Sequence, residues 1–301
     1  MVGKTTLVVS MYNREHEVLE IIDKLFFPSL LRNGSKNVAI IIIDDASPLR
    51  KETHNLVMKY YNEMGNLFFN VRFIRNEKNL GFAKSYNRGI QMVRTKYILI
   101  ANDDLYFPLG SIKRLINTLE EPAGYGLVGP IANNSTIWSF QYAKQAPTIK
   151  SYEKEELERL EKFSTWLSLI KKGERKITDH HLCGFCFACK TDFLKEFGGF
   201  DESYEFGQFE DTDLVRRVIE KYDMKKVTII KDVFIGHGGP KGNSRSLLQE
   251  PKKMFHYGTV NGYKYLKRWG VGRYLRILIF GLISQFTGKL TISSELPNVK
   301  F

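Results

Sequence analysis

The chain has 301 residues, of which 43% are hydrophobic and 26% are charged, and this composition excludes a disordered or fibrous protein. Its 45 Lys and Arg residues against 33 Asp and Glu residues give a net charge of +12, which indicates an anionic partner such as a nucleotide, an acidic glycan, a nucleic acid or a membrane surface. Three cysteines are too few for a disulfide scaffold and favour a reducing compartment.

The apolar segments are too short to predict a membrane-spanning helix. Residues 1–10 predict a strand rather than a secretory leader. The longest apolar stretch, residues 274–286, is interrupted by Arg276 and is shorter than the ~20 residues that cross a bilayer. We therefore expect a cytoplasmic protein. Peripheral contact with the inner face of the membrane is a second interpretation.

The first half of the chain alternates strand and helix patterns. Apolar runs predict strands at residues 7–9, 38–43, 69–74 and 97–101. The run at 38–43 is unbroken, as is typical of a strand buried on both faces of a parallel sheet. A helical period occupies residues 83–93. Strands that alternate with helices predict an α/β fold with a doubly wound, mainly parallel sheet.

Polar residues follow three of these strands at the point where each strand ends. The three clusters are Tyr12-Asn13, Asp44-Asp45 and Asn102-Asp103-Asp104. Loops are polar in general, but ligands of doubly wound sheets bind beyond the carboxyl ends of the strands. Three successive strand ends of this kind therefore favour a ligand site.

The third cluster has the chemistry of a cation site. A carboxylate such as Asp104 at a strand end is a suitable oxygen ligand for a hard divalent cation that bridges phosphate oxygens. The structural alternative is a helix N-cap, but the next helical pattern begins near Gly110, too far from Asp104 for that role. We therefore prefer the metal interpretation.

The second half of the chain is less regular. Residues 151–175 form a charged helical segment that we interpret as an insertion or lid. A strand is predicted at 183–189, a helix at 213–220, and short strands at 227–230 and 233–235.

Cys183, Cys186 and Cys189 recur every three residues, just after His180 and His181, and suggest a zinc or iron–sulfur site. On an extended strand, however, residues three apart point to opposite faces, so the three sulfurs do not converge. We therefore predict buried, apolar cysteines.

Two further groups are candidates for chemistry. Glu210 and Asp211 open a helical pattern, where acidic residues ordinarily cap the helix. Gly198 and Gly199 lie just upstream and allow tight turns beside a cleft. His237 follows a strand and begins a glycine loop, where a histidine binds a metal, contacts phosphate or serves the structure alone.

Taken in order, these motifs resemble the family 2 glycosyltransferases, which have the GT-A fold. The matching segments are residues 8–14, 43–47, 79–83, 87–89, 102–104, 198–202 and 210–214, together with Arg217 and His237. The resemblance extends over about residues 6–269. It implies a GT-A sheet with helices on both faces in a catalytic domain over residues 1–250, and a helical C-terminal extension over residues 251–301.

The resemblance also implies residue roles. The nucleotide contacts would be Tyr12, Asn13, Asp44, Asp45, Asn79, Gly81, Lys84, Asn87 and Asp103. Asp104 and His237 would hold Mg²⁺ or Mn²⁺, with Asn102 at a position that is usually Asp in the family. Asp211 would be the general base and Glu210 would orient it or the acceptor. The implied reaction moves a sugar, with inversion, from a nucleoside-diphosphate sugar to an acceptor hydroxyl in polysaccharide or glycoconjugate synthesis.

The basic tail leaves the acceptor open. Its cations are Lys264, Lys267, Arg268, Arg273 and Arg276, around Trp269 and Tyr274. The tail is interpreted as a helix on an anionic membrane near a lipid-linked acceptor, as a helix packed on the domain, or as a nucleic-acid surface of an enzyme that glycosylates hydroxymethylated DNA bases. A non-catalytic module that binds nucleotide sugar or glycan is the alternative of another class.

Overall fold

The computed structural model describes residues 3–134, 141–143, 145–178, 181–241, 251–277 and 279. The strands are β1 (Thr5–Met11), β2 (Val38–Asp44), β3 (Asn70–Arg75), β4 (Tyr97–Ala101), β5 (Leu105–Tyr106), β6 (Leu127–Ile131), β7 (Arg175–Ile177), β8 (Cys186–Lys190), β9 (Val227–Phe234) and β10 (Gly236–His237). The α-helices are α1 (His16–Ile21), α2 (Phe27–Arg32), α3 (Arg50–Leu67), α4 (Phe82–Met92), α5 (Ser111–Thr118), α6 (Lys154–Ile170), α7 (Thr191–Glu196), α8 (Glu210–Lys221) and α9 (Pro251–Trp269), with a π-helical turn at Ile22–Phe26 and a 3₁₀ turn at Met224–Lys226.

One large sheet organises the described chain, with the strand order β3-β2-β1-β4-β8-β6-β9-β7. Strands β1 to β4 are parallel, and β6 is parallel to β9. Strand β8 runs antiparallel between β4 and β6, and β7 is antiparallel to β9. The predicted α/β class with a mainly parallel sheet is therefore confirmed.

The sheet is buried on both faces, as the unbroken apolar run in β2 predicts. Ile41 and Ile43 belong to the hydrophobic cluster on one face, whereas Ile40 and Ile42 belong to the cluster on the other. Side chains alternate along a strand, so a strand with a helical layer on each side needs apolar residues at every position.

The charged segment at 151–175 contains α6. Its residues Leu160, Phe163 and Leu167 are fully buried, and the Phe163 ring packs edge-on against Phe234 of β9, with 4.9 Å between centroids. In this position α6 covers the β9 side of the sheet as a core helix. Lys154, Glu158 and Lys162 are exposed, whereas Glu161 is half-buried and accepts the Tyr106 hydroxyl at 2.8 Å.

Strand β9 joins two strands that the sequence predicts separately. The charged pair Lys231-Asp232 interrupts the apolar pattern but stays in the strand. Lys231 Nζ lies 3.2 Å from Glu174 Oε2, and Asp232 Oδ1 lies 2.8 Å from Arg175 Nη1. The neighbouring edge strand thus supplies opposite charges that keep both residues in the sheet.

The C-terminal extension begins with α9, and residues 271–277 are helical as well. Tyr265 and Asn261 of α9 are buried, and Trp269 Nε1 donates a hydrogen bond to Asp213 Oδ1 of α8 at 2.9 Å. The inner face of α9 therefore packs on the domain. The rest of the extension predicted over 251–301 lies outside the described residues, as does His180. Among the described helices, none has both the length and the apolar character needed to cross a bilayer.

Candidate active site

Asp104 and His237 meet although they lie far apart in the chain. Strand β5 begins directly after Asp104 and pairs antiparallel with β10, so that Leu105 lies opposite His237. The Gly238 N–H also donates to the Asp104 carbonyl oxygen at 2.9 Å. As a result His237 Nε2 lies 3.4 Å from Asp104 Oδ1, and both side chains are buried.

The surrounding residues orient the His237 ring. Its Nδ1 lies 2.5 Å from the Asn134 carbonyl oxygen, which only accepts hydrogen bonds, so Nδ1 carries a proton and Nε2 is the ring nitrogen on the side of Asp104. The backbone N–H of His237 donates to Asn133 Oδ1 at 2.8 Å. The Phe185 ring stacks on the imidazole, with 4.8 Å between ring centroids. Metal-binding histidines are commonly held in this way.

The pair fits a divalent cation. Two ligand atoms 3.4 Å apart match two bonds of about 2.1 Å to one ion. The carboxylate oxygen suits Mg²⁺ and Mn²⁺, and the imidazole adds a nitrogen of the type that binds transition metals. Asn102, whose backbone N–H donates to the Phe185 carbonyl oxygen at 2.8 Å, is half-buried at the same strand end. Its role as a ligand stays a prediction.

Asp103 is buried beside Tyr86. Burial of the Tyr86 hydroxyl, followed by the negative charge of Asp103, raises the pKa of this tyrosine well above its ordinary value. Tyr86 is therefore neutral, and its hydroxyl donates to the Ala101 carbonyl oxygen at 2.8 Å. This bond fixes the end of β4, from which Asp103 and Asp104 project.

Asp211 lies in the first turn of α8 and rests on the segment before β8. The Gly184 N–H donates to Asp211 Oδ2 at 2.8 Å, and the Thr212 N–H donates to Oδ1 at 2.7 Å. A Cβ atom at Gly184 would lie 3.3 Å from Asp211 Cβ, so glycine permits this close approach. The next residue, Phe185, carries the ring that stacks on His237. Asp211 and the Asp104–His237 pair are therefore connected through two consecutive residues, Gly184 and Phe185, directly before β8.

The loop before α8, residues 205–209, has an unusual backbone. Phe206, Gln208 and Phe209 have φ angles of 51°, 93° and 71°, a region that non-glycine residues rarely occupy. Such strain persists where neighbouring structure enforces it, and it is frequent at functional sites. The loop leads directly into Glu210, which is buried at the start of α8.

Asn261 of α9 holds this loop in place. Its amide nitrogen lies within hydrogen-bond distance of the carbonyl oxygens of Glu205 (2.9 Å), Gly207 (3.2 Å) and Gln208 (3.2 Å). Its Oδ1 accepts the Glu205 N–H at 3.1 Å. The sequence analysis missed Asn261, because no local pattern distinguishes it from the other polar residues of an amphipathic helix.

The cysteines separate into two kinds. Cys186 and Cys189 are fully buried, and burial raises the pKa of both thiols, in agreement with the predicted apolar role. For Cys183 the prediction of a buried residue is wrong, because this side chain is half-buried, before β8 begins. Its sulfur lies within 4.8 Å of ligand atoms of His181 and Asp211.

At the end of β2, Asp44 is held by two protein donors. The Ser47 N–H donates to Asp44 Oδ1 at 2.8 Å, and Arg75 forms an ion pair with Oδ2. Arg75 also donates to the Ser47 carbonyl oxygen at 3.1 Å. The sequence analysis missed Arg75, which comes from the neighbouring strand β3.

Asp45 shapes the loop that follows β3. Its Oδ1 accepts Asn76 Nδ2 at 2.7 Å and the Leu80 N–H at 2.8 Å, and its Oδ2 accepts the Gly81 N–H at 2.9 Å. The Gly81 N–H also lies 2.9 Å from Asn79 Oδ1. The predicted nucleotide residues Asp45, Asn79 and Gly81 thus form one hydrogen-bonded unit.

The remaining predicted nucleotide residues differ in their surroundings. Asn87 pairs with the backbone of Phe200, accepting its N–H at 2.9 Å and donating to its carbonyl oxygen at 2.8 Å. Asn13 is buried and donates from Nδ2 to Thr53 Oγ1 at 3.1 Å. Tyr12 is half-buried, and Lys84 is exposed in the first turn of α4. Their contacts with a nucleotide stay predictions.

The order of strands in this sheet, together with the acidic residues at its carboxyl edge, is typical of a GT-A glycosyltransferase. The family model described as Glycosyl transferase family 2 matches residues 6–198, more than half of the chain. The chain belongs to this family, and the family resemblance inferred from the sequence is confirmed.

Curated relatives match parts of the chain. An uncharacterized glycosyltransferase of Haemophilus influenzae is 30% identical over 116 residues, which cover 38% of this chain and 34% of that protein. An N-acetylglucosaminyl-diphospho-decaprenol L-rhamnosyltransferase of Mycobacterium tuberculosis is 25% identical over 179 residues, which cover 50% of this chain and 53% of that protein. The chain thus spans between a third and about half of the length of these two relatives.

Solved structures share the fold over nearly the whole chain. Mannosyltransferase PcManGT from Pyrobaculum calidifontis, in complex with GDP-Man and Mn²⁺, has a TM-score of 0.59 at 13% identity and covers 95% of this chain and 71% of its own. TarS 1-349 of S. aureus has a TM-score of 0.51 at 16% identity, with 95% and 73% covered. At these identities the likeness establishes the GT-A fold.

Proposed function

We propose that this protein is an inverting, metal-dependent glycosyltransferase that moves a sugar from a nucleoside-diphosphate sugar to an acceptor hydroxyl in polysaccharide or glycoconjugate synthesis. The observation that supports the proposal is that Asp211 bonds to Gly184, whereas His237, the partner of Asp104, stacks on the next residue, Phe185. A cation ligand pair and a carboxylate base on one sheet edge are the parts that such a transfer needs.

On the donor side, Asp104 and His237 would hold Mg²⁺ or Mn²⁺, with Asn102 and Asp103 next to them. The cation supplies positive charge that stabilises the departing diphosphate. The unit formed by Asp45, Asn79 and Gly81 fixes the loop that would lie over the nucleotide. The mannosyltransferase of similar fold was solved with GDP-Man and Mn²⁺, and TarS with UDP-GlcNAc, which is consistent with a nucleotide-sugar donor.

On the acceptor side, Asp211 would remove the proton of the attacking hydroxyl. The acceptor oxygen forms a bond to the anomeric carbon while the bond from that carbon to the diphosphate oxygen breaks, and its electron pair leaves with the diphosphate. The hydroxyl proton passes to the Asp211 carboxylate. Attack from the face opposite the leaving group inverts the configuration in one displacement, and Glu210 at the start of α8 would orient the base or the acceptor.

Asp211→Asn tests this role. With the donor identified by thermal-shift screening of UDP-, GDP- and dTDP-sugars with Mn²⁺, we expect the variant to bind the donor as the wild type does. Its transfer rate should fall by about 10²–10⁴, the usual contribution of a general base. Unchanged transfer would remove Asp211 from the mechanism. Donor binding without transfer in the wild type, with any acceptor offered, would favour the non-catalytic module.

We further propose that the enzyme meets a lipid-linked acceptor at the cytoplasmic face of a membrane. The outer side of α9 exposes Phe255 and Tyr263, at 78% and 65%, and Lys267 is exposed near its end. Aromatic and basic residues on one helix suit an anionic membrane surface. The mycobacterial relative is named for a decaprenol-linked acceptor.

Liposome flotation tests this part. We expect binding to vesicles that contain anionic lipid and weaker binding after Phe255→Ser with Tyr263→Ser. Arg72→Gln, which removes a cation of the exposed β3 surface, is the control and should leave flotation unchanged. Retention on duplex DNA with a steep salt dependence, without flotation, would instead support glycosylation of DNA bases.

A further inference from the structure

A half-buried cluster beside the candidate base combines three different ligand chemistries. His181 and Cys183 lie on the segment before β8, and Asp211 lies in the first turn of α8. One ligand atom from each residue, an imidazole nitrogen, the thiol sulfur and a carboxylate oxygen, lies within 4.8 Å of the other two. We refer to these residues as the His-Cys-Asp cluster.

Hydrogen bonds hold the His181 ring beside the Asp211 carboxylate. The Thr212 hydroxyl donates to Asp211 Oδ1 at 3.2 Å, and its oxygen lies 3.1 Å from His181 Nδ1. Thr212 thus connects the imidazole to the carboxylate. A partner of this kind orients histidine rings in metal sites.

The Asp211 carboxylate is also held in position. Gly184 and Thr212 donate backbone N–H groups to its two oxygens at 2.8 Å and 2.7 Å. A carboxylate oxygen has a second lone-pair direction, so the Gly184 bond leaves room for a metal on Oδ2. Backbone hydrogen bonds thus hold the Asp211 carboxylate beside the Cys183 thiol.

We propose that the His-Cys-Asp cluster binds a thiophilic divalent cation of the Zn²⁺ class, at a site separate from the Asp104–His237 pair. Thiolate and imidazole ligands select Zn²⁺ or Co²⁺, whereas Mg²⁺ prefers oxygen ligands alone. Zinc bonds of about 2.0–2.3 Å place ligand atoms about 3.3–3.8 Å apart, so the cluster needs to close by about 1 Å. Three protein ligands leave one position open to water or to another ligand.

Binding replaces the thiol proton of Cys183 by a sulfur–metal bond and releases that proton to solvent, so affinity should increase with pH. If Asp211 is the base, as the proposed function holds, the bound cation occupies the carboxylate that must accept the hydroxyl proton. Zn²⁺ should then inhibit transfer even when Mn²⁺ saturates the donor site. This consequence rests on the proposed function, whereas the binding itself does not.

Titration of the full-length, reduced protein with Co²⁺ tests the site. We expect a near-ultraviolet thiolate-to-cobalt charge-transfer band that saturates at one equivalent and disappears when Zn²⁺ is added. Cys183→Ser should abolish the band. Cys189→Ala, which removes a core thiol, is the matched control and should retain it. The proposal is overturned if the wild type shows no band, if the band survives Cys183→Ser, or if it is lost only with Cys189→Ala.

Two further variants complete the test. His181→Gln should weaken Co²⁺ binding by at least about tenfold while leaving a thiolate band, and it serves if Cys183→Ser does not fold. Asp104→Asn should leave the band unchanged, and loss of the band in this variant would contradict a site separate from the Asp104–His237 pair. These spectra do not require turnover, so an enzyme without transfer activity would contradict the proposed function while the metal site stands on its own.

Discussion

The two sides of the candidate cleft are built differently. On the donor side, the loop after β3 is held by residues close in sequence or on neighbouring parallel strands: Asp45 fixes Asn76, Leu80 and Gly81 through three hydrogen bonds. On the acceptor side, Asp211 and the 205–209 loop depend on residues far away in the chain, namely Gly184 and Asn261. The loop after β3 is therefore fixed by neighbouring parallel strands, whereas the acceptor side is assembled by tertiary contacts.

This difference has a physical consequence. A loop that follows a parallel strand and is bound by its neighbour needs little more than the sheet to keep its shape. The strained 205–209 loop needs the C-terminal extension, because α9 supplies the amide that binds its carbonyl groups. We expect damage to the two sides to be separable by measuring donor binding and transfer independently.

The largest effect should come from Asp104→Asn on the donor side. The change removes the carboxylate of the predicted metal pair, so Mn²⁺-dependent binding of the donor nucleotide and transfer should both fall at least about a hundredfold. Calorimetric titration of the nucleotide with and without Mn²⁺ measures the first quantity. Asp192→Asn, at an exposed position in α7, is the control. Equal Mn²⁺ dependence in both variants would contradict the assignment.

Asn261→Ala should impair transfer through the acceptor side and leave donor binding intact. The variant loses the hydrogen bonds from Asn261 to the 205–209 loop, each of which contributes about 0.5–1.5 kcal/mol to the free energy of unfolding. Because the hydrogen bonds by which Asp45 holds the donor loop do not involve residues 205–209, the affinity for the donor should change little while transfer falls. Urea unfolding, nucleotide titration and transfer assays report the three quantities, with exposed Asn117→Ala as the control. Loss of donor affinity in proportion to transfer would show that the sides are not separable.

Gly81→Ala tests the contact between the two sides. Gly81 has a φ of 79°, and a Cβ atom there would lie 3.0 Å from the Phe206 Cα of the 205–209 loop. Gly173 has a similar φ of 75°, and a Cβ atom there would meet nothing within 4 Å, so Gly173→Ala carries the backbone strain alone. We expect about 1 kcal/mol of destabilisation from strain in both variants and more in Gly81→Ala. If Gly81→Ala and Gly173→Ala lower the free energy of unfolding by the same amount, Gly81 and the 205–209 loop are not in close contact.

The smallest effect concerns the attachment of α9 at low pH. Partial burial raises the pKa of Asp201, but hydrogen bonds from Ser203 and the charge of Arg268 outweigh burial and hold that pKa below its usual 3.8. The folded state therefore binds this proton less readily than the unfolded state, and the ion pair stabilises the fold above about pH 4. This contribution should be lost as the pH falls below 3.8. Unfolding of Asp201→Asn should show a weaker pH dependence in this window, and identical profiles would exclude the effect.

The donor side was more predictable from sequence because its signals are local. Strand ends, the glycine of a tight turn and the acidic residues beside them all lie within short segments, and the mainly parallel sheet brings these segments to one edge. Even there, Arg75 was missed, since nothing in the sequence pairs it with Asp44 before the register of β2 and β3 is known.

The acceptor side was less predictable because its contacts are long-range. The motif at Glu210 and Asp211 could be found, but not the approach of Gly184 or the support from Asn261, since each depends on how distant helices and strands pack. The strand argument for the cysteines holds for Cys186 and Cys189. It fails for Cys183, because β8 begins only at residue 186 and the segment before it turns toward Asp211.

The account depends on Asp104, His237 and Asp211 surrounding one donor sugar. A crystal structure of the protein with Mn²⁺ and its nucleotide sugar tests this claim most directly. We predict Mn²⁺ bound to the Asp104 carboxylate and His237 Nε2, with the anomeric carbon of the sugar between the metal and the Asp211 carboxylate. Mn²⁺ bound elsewhere, or a sugar whose anomeric carbon faces away from Asp211, would contradict it.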